Sequence, residues 1–492
     1  MSTAPTLDSL KRRALTLGAA HAFDYAMHFL LPVVLVRFLT PEAFGQYRLL
    51  WLAIMTVMVL VPLNMPQTLY YFLPRSDATD KRLYVHMTLI YMACAGLLGG
   101  LAVSPWNPLL PSGMHSLREY GMLVPALTVL FAVTLLLDIL PTVEERVHWQ
   151  AGITIALSLL RTLTLGWAAW LTGELRVVLW LLLALLLLKL LLLLAYIAKL
   201  HGLAGPWLRR PAFLGQFRHA APLGVSTALY GLRGKADLWV AASLFALGNF
   251  AAFSIAAVLG PMVNLFRQSV NHVFLPSMSR LQATGDTAGM VELNSRANAM
   301  VATLVYPLLA FAFVFAEEII TLVYTPAYVA AAPVMRVYAV GLTIFVVELS
   351  SIMLLMRDGA FSLRLNLAVL AVSVAISWIA ARQFGLAGAA VGSTLALYAD
   401  RYLTLRRIAA TTGIPLRQLQ DWRTLGWRLL IAALAGTLAW AGVGGYFAAD
   451  AGPLLRLFTG GTILAAVYGV LWKLSDTGGS PLVAARDPHI GH

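Results

Sequence analysis

The stretch Leu229–Phe245, "LYGLRGKADLWVAASLF", places Arg233, Lys235 and Asp237 inside an apolar run long enough to cross a bilayer. About 20 mostly apolar residues span the hydrocarbon of a membrane. A charge there costs roughly 2.5–3.5 kcal/mol even on lenient insertion scales, so it has a partner or a task. How the rest of the chain treats such runs decides between a buried soluble helix and a membrane span.

Sixty per cent of the 492 residues are hydrophobic and 12% are charged, a balance that excludes an ordinary soluble globular protein. Fourteen segments qualify as spans, near 15–38, 47–72, 83–105, 120–142, 148–172, 177–198, 220–245, 249–275, 297–320, 332–355, 360–380, 386–404, 426–447 and 453–473. The predicted class is an all-α polytopic membrane protein. Lys11, Arg12 and Arg13 precede the first segment without a small-residue cleavage site, so it is expected to be a retained helix. The single cysteine, Cys94, excludes a disulfide framework or a Cys-based metal site and reads as a packed thiol.

The net charge of +13 follows the membrane rather than nucleic acid. With the N-terminus inside, 23 Lys and Arg fall on cytoplasmic edges and six on the opposite edges. Both ends are therefore expected in the cytoplasm. The longest connections, near 199–219 and 276–296, are too short to fold alone, and the tail 475–492 reads as disordered.

An internal repeat organises the spans. "AFGQY" (Ala43–Tyr47) and "FLP" (Phe72–Pro74) bracket the second segment; "ALGNF" (Ala246–Phe250) and "FLP" (Phe274–Pro276) bracket the eighth. Six helices separate the copies, which predicts two parallel six-helix lobes, 1–200 and 201–424, with two added helices over 425–474. Polar stripes mark the repeated helices: Asn64, Gln67, Thr68 and Tyr71 in one, Asn264, Arg267, Gln268 and Asn271 in the other. Each set has helical spacing and must face protein or water.

The mid-membrane cations are Arg161, Lys189, Arg233, Lys235 and Arg267, and the deep acids are Asp24, Asp237 and Glu348, with Asp138 and Asp400 nearer helix ends. Arg233 and Asp237 are spaced to pair on one helical face, which leaves Lys235 about 200° away. Five cations against three acids point to an anionic substrate, phosphate above all. His21, Asp24, Tyr25 and His28 share one face of the first helix and could exchange protons. Asp24, His21, His28, Asp237 and Glu348 are accordingly the candidate ion-coupling residues, for a proton or sodium. Arg233, Lys235, Arg267, Gln268, Asn264, Asn271, Asn64, Gln67, Thr68 and Arg161 are the candidate substrate-binding residues. No residue pattern points to a bound cofactor.

"RFLTPEAFGQYRL" (Arg37–Leu49) resembles the opening helix–loop–helix of the polysaccharide exporters of the MOP superfamily, the Wzx-type oligosaccharide flippases. "ADLWVAASLFALGNFAAFSIA" (Ala236–Ala256), "VFLPSMSRLQATGD" (Val273–Asp286) and "FGLAGAAVGSTLA" (Phe384–Ala396) are similar to further family patterns, with Phe250 where Tyr is usual. The resemblance implies a MATE-like fold with alternating access in the bacterial inner membrane. It implies a substrate of undecaprenyl-pyrophosphate-linked oligosaccharide for O-antigen, capsule or exopolysaccharide synthesis. A polysaccharide polymerase and a chain-length regulator are the partners it suggests. By analogy with the lipid II flippases, residues 426–473 would flank a groove for the lipid tail. A MATE-like drug or cation antiporter is the alternative, though its cavity should carry an acidic excess. A membrane polymerase or ligase is a further alternative, poorly served by the short outer loop Ser104–Glu119 with one acid and one His.

Overall fold

The computed structural model describes residues 7–108, 110, 112–202, 204–356, 358–446 and 451–477. Of the tail 475–492, everything from 478 onward lies outside the described residues. In chain order the helices are α1 (Leu7–Leu35), α2 (Pro41–Leu60), α3 (Leu69–Phe72), α4 (Ala78–Ala102), α5 (Leu123–Val143), α6 (Val147–Thr172), α7 (Leu175–Leu200), α8 (Arg210–Arg233) and α9 (Ala236–Leu244). They continue as α10 (Leu247–Ala256), α11 (Leu259–Ala283), α12 (Thr287–Val314), α13 (Ala316–Val323), α14 (Ala331–Phe345), α15 (Ser350–Leu355), α16 (Gly359–Thr412), α17 (Trp422–Tyr446) and α18 (Pro453–Thr477). The described residues form no strand, and the protein is an all-α polytopic membrane protein.

Each of the fourteen expected segments falls on helix, and ten helical stretches among the described residues are long and apolar enough to span a membrane. The difference of four has local causes. His21, Asp24, Tyr25 and His28 dilute α1. The seventh segment breaks between α8 and α9, the tenth is the short apolar α14, and the eleventh and twelfth are the two arms of α16. At Gly385 the backbone has φ 64° and ψ −144°, a region open to glycine alone. The chain doubles back there, so that a Cβ on Gly388 would land on the Ala380 carbonyl and one on Gly392 on Ser377.

Local chemistry sets the ends. Thr40 Oγ1 accepts from the Ala43 amide at 3.2 Å with Pro41 in the first turn of α2, and Asp77 caps α4 through the Asp80 amide at 2.8 Å. The expected continuous second helix, 47–72, is instead broken. α2 stops at Leu60, Leu63 and Asn64 take positive φ, and a 3-10 turn at Pro66–Thr68 leads into α3. Pro62 and Pro66 lack the amide protons a helix would need there.

The chain divides into two compact units, Met1–Ser254 and Ile255–His492. In the first, α1 packs on α6, α5 on α4 and α7, and α2 on α8, around Leu69, Val85, Leu136, Leu137, Leu140, Leu193 and Ile197. In the second, α12 contacts α11, α14 and α17, α17 packs on α18, and Val301, Val305, Leu309, Val346, Ile408, Ala432 and Ala435 lie in the core. Leu163, Trp167, Trp170, Trp180 and Leu191 of α6 and α7 remain exposed, as do Leu438, Trp440 and Phe458 of α17 and α18. Apolar faces of this extent require lipid rather than water against them. Cys94 is exposed on α4, not packed as expected, because it falls on the side of that helix turned away from its neighbours.

Candidate functional site

In the first unit α8 and α9 run antiparallel along α2 and the bend after it. A Cβ on Gly224 would strike the Leu63 backbone and one on Gly231 the Val59 side chain, so bare backbone makes the close approach. Polar contacts line this seam. Gln216 is buried and its Nε2 donates to Thr68 Oγ1 and Thr88 Oγ1, each at 2.9 Å. Asn64 Nδ2 donates to Thr227 Oγ1 at 3.3 Å, and Trp239 Nε1 to Thr56 Oγ1 at 3.0 Å. Arg48 donates to Ser254 Oγ at 2.9 Å and to the Ser254 carbonyl at 2.8 Å. Gln67 is exposed on the 3-10 turn. Asn64, Gln67, Thr68 and Tyr71 therefore do not form the single helical stripe expected of them, since the bend intervenes.

The charged stretch Leu229–Phe245 sits on this seam. α8 ends at Arg233 and α9 begins at Ala236, so the expected unbroken helix is interrupted between them. Gly234 and Lys235 occupy the break. Asp237 is buried, with Oδ1 accepting from the Leu238 amide at 2.8 Å, and Arg233 lies 5.4 Å from the Tyr230 ring. The half-buried Lys235 ammonium makes no ion pair among the described residues; Arg48 and Asp237 are the charged groups that act on it.

The other cations expected to await a phosphate have carboxylates, and here the sequence reading is corrected. Arg161 Nη2 lies 3.4 Å from Asp24 Oδ1 and donates to His28 Nδ1 at 2.9 Å. A guanidinium can only donate, so in that contact His28 Nδ1 accepts. Asp24 Oδ2 is 3.6 Å from the same ring nitrogen. His21 is exposed and stands outside this cluster. Lys189 bonds Asp138 at 2.8 Å, so an acid set aside as too near its helix end supplies the partner.

In the second unit, Arg267 and Glu348 form an ion pair with side chains only 7% and 3% exposed. Arg267 Nη2 also donates to Asn264 Oδ1 at 2.7 Å, and its guanidinium lies 4.2 Å from the Phe345 ring. Around Glu348, Asn294 Nδ2 donates to its carbonyl at 2.9 Å, and Asn298 Oδ1 accepts from its amide at 3.0 Å. Asn298 further binds Gln420, and Asn271 Nδ2 donates to Ser351 Oγ at 2.8 Å. Gln268 is exposed on α11 and makes no hydrogen bond among the described residues. Arg267 is thus ion-paired at the centre of a buried polar network, contrary to the expectation of a cation in want of an anion. Arg48, Gln216, Asn294, Asn298 and Gln420 escaped the sequence reading. Only Asn294 and Asn298, four apart in an apolar helix, carried a signal that could have found them.

With Asp138 counted, five deep cations face four acids, and the surplus falls in the stretch that holds Arg233, Lys235 and Asp237. Chemically, the seam offers Lys235 at its break with Arg48 acting on it, and amides and hydroxyls farther along α8, groups that suit a phosphate and hydroxyls respectively.

A family model described as "Polysaccharide biosynthesis protein" matches residues 34–333. No curated protein matches the chain. Among solved structures, the fold is similar to the lipid II flippase MurJ in an inward closed conformation, at 12% identity and a TM-score of 0.73 over 94% of this chain and 99% of that one. It is also similar to an inward-facing MATE multidrug resistance transporter of the MOP superfamily, at 14% identity and a TM-score of 0.61 over 79% of this chain and 95% of that one. A MOP superfamily transporter from Pyrococcus furiosus, described by the reverse polarity of its binding pocket, matches at 15% identity and a TM-score of 0.50 over 82% and 96%. At these identities the likenesses establish a MurJ- and MATE-like fold.

Proposed function

The chain belongs to the polysaccharide biosynthesis protein family, and from that premise we propose that it is a flippase of the bacterial inner membrane. Its substrate is undecaprenyl-pyrophosphate-linked oligosaccharide, turned by alternating access from the cytoplasmic to the periplasmic leaflet. The observation that carries the reading is the half-buried Lys235, which makes no ion pair among the described residues and stands near Arg48 at a helix break. A cation held there without an anion costs free energy that a pyrophosphate would recover. Asn64, Gln67 and Thr227 along the same seam supply donors and acceptors for the first sugar hydroxyls. A cation antiporter would call for a carboxylate where Lys235 stands.

Coupling to a proton gradient falls to the Asp24–His28–Arg161 cluster. The cluster ties α1 to α6 through Arg161 and sets a carboxylate beside an imidazole, the groups a proton relay uses. Asp24→Asn should abolish the gradient dependence of transport, and unchanged dependence would refute the assignment.

The test of the substrate site is a leaflet-sidedness assay in proteoliposomes loaded with lipid-linked oligosaccharide. Lys235→Ala should slow flipping about tenfold or more, the scale of a lost charge-assisted hydrogen bond. Lys235→Arg should restore most of it. Equal rates for wild type and Lys235→Ala would end the proposal.

A further inference from the structure

We infer that the open end of the α16 hairpin holds the headgroup of an anionic glycerophospholipid, as a structural lipid. A cavity of about 320 Å3 lies there, lined by Phe361, Arg364, Leu365 and Ala368 of one arm and Leu403 and Arg407 of the other. Because the arms fold back at Gly385, both arginines sit close to the hairpin's free ends. Leu365, Ala368 and Leu403 lie up to one helical turn deeper, about 6 Å along the axis.

The two guanidiniums are incompletely used. Arg407 spends Nε on Asp358 Oδ2 at 2.6 Å and rests 5.4 Å from the Phe361 ring. Arg364 spends Nε on the Ala360 carbonyl at 3.3 Å. Among the described residues neither has an acceptor for its Nη groups, so two forks of N–H donors border one cavity. With Asp358 counted, the site keeps one positive charge. Guanidinium forks match phosphate oxygens in pairs.

The shape of the ligand follows from the other half of the cavity. A soluble anion has no use for a leucine and alanine wall, and an apolar molecule none for the arginines. A phosphodiester with acyl chains uses both, with phosphate at the mouth and methylenes descending along Leu365 and Leu403. Exposed Leu363, Leu367 and Tyr402 extend the apolar surface beside it. A zwitterionic lipid would also need an acceptor for its ammonium, and the carboxylate at hand, Asp358, is engaged by Arg407. One lipid would thereby tie together two arms that meet across a glycine turn. This site is independent of the flippase reading.

Native mass spectrometry of the full chain, extracted with and then titrated by phosphatidylglycerol or phosphatidylcholine, tests it. Wild type should retain one phosphatidylglycerol in preference to phosphatidylcholine. Arg364→Gln should lower that retention about fivefold, the worth of one arginine at a lipid surface. Arg417→Gln, an exposed arginine away from the cavity, should retain lipid as wild type does, which separates the site from a general basic surface. Equal retention by wild type and Arg364→Gln, or no preference between the two lipids, overturns the inference. Displacement by inorganic phosphate alone would show a soluble-anion site, and displacement by a polyprenyl pyrophosphate at equal concentration a substrate site; either overturns it as well.

Discussion

Splitting the Arg267–Glu348 pair should destabilise the protein far more than removing it whole. The side chains are 7% and 3% exposed, so neither charge can turn to solvent when its partner goes. Loss of one member of such a pair costs about 3–5 kcal/mol, most of it the penalty of a stranded charge. After Arg267→Ala, Glu348 keeps the Ser350 amide at 2.6 Å and the Ser350 hydroxyl, which places the expected loss near the lower end, about 3 kcal/mol. After Glu348→Gln, Arg267 keeps Asn264 and the Phe345 ring, with a comparable loss. The double variant Arg267→Met with Glu348→Gln carries neither charge and should lie within about 1–2 kcal/mol of wild type. For a folding unit of this size each kcal/mol moves Tm by roughly 2–4 °C, so each single variant should lose about 6–12 °C and the double variant less than either. Tryptophan-monitored unfolding of the purified chain in detergent, run as a double-mutant cycle, reads the coupling directly. A Tm for Arg267→Ala within about 2 °C of wild type, together with lost flipping, would refute the reasoning and return Arg267 to the substrate site.

At the ends of α5 and α7, Glu144 is gripped by His201 Nε2 and the Tyr196 hydroxyl, each at 2.5 Å. Burial alone would raise its carboxyl, but these bonds outweigh burial and hold it below its ordinary 4.5. A depressed carboxyl stabilises fully above its unfolded value and loses that contribution as pH falls through the folded one. Wild type should therefore lose Tm on acidification below about pH 4.5, and Glu144→Gln should lack that component; parallel curves would refute it. Gly388→Ala should cost about 1–3 kcal/mol, because its methyl lands on the Ala380 carbonyl inside the hairpin, and an unchanged Tm would mean the arms are not in this register.

The helices were legible in the sequence because burial in lipid leaves a one-dimensional record: apolar runs of fixed length with charges between them. The polar face of α1 was legible for the same reason, and it led to Asp24 and His28. The breaks were half legible. Pro62, Pro66 and Gly234 announce them, yet runs this apolar read as continuous when length alone is weighed. What the sequence could not carry is which face meets which. Asp24 and Arg161 are 137 residues apart, and Asp138 and Lys189 are 51 apart. Depth inferred from position along a run misplaced Asp138, because helices that pack side by side need not be level.

The balance of deep charges matters apart from any single pairing. Every deep acid added to the tally can neutralise one deep cation, and the correction at Asp138 does that for Lys189. It cannot neutralise Lys235, because Asp138 is used and Asp24 and Glu348 are engaged elsewhere. Asp237 is the one acid left in that stretch, and it has Arg233 and Lys235 in sequence reach and Arg48 acting on the same lysine. Lys235, without an ion pair among the described residues, therefore stands with Arg48 acting on it at the break between α8 and α9. Folding alone gains nothing from that placement, whereas a chain that must attract a phosphate and later release it needs a cation whose own protein partners are too few to hold it.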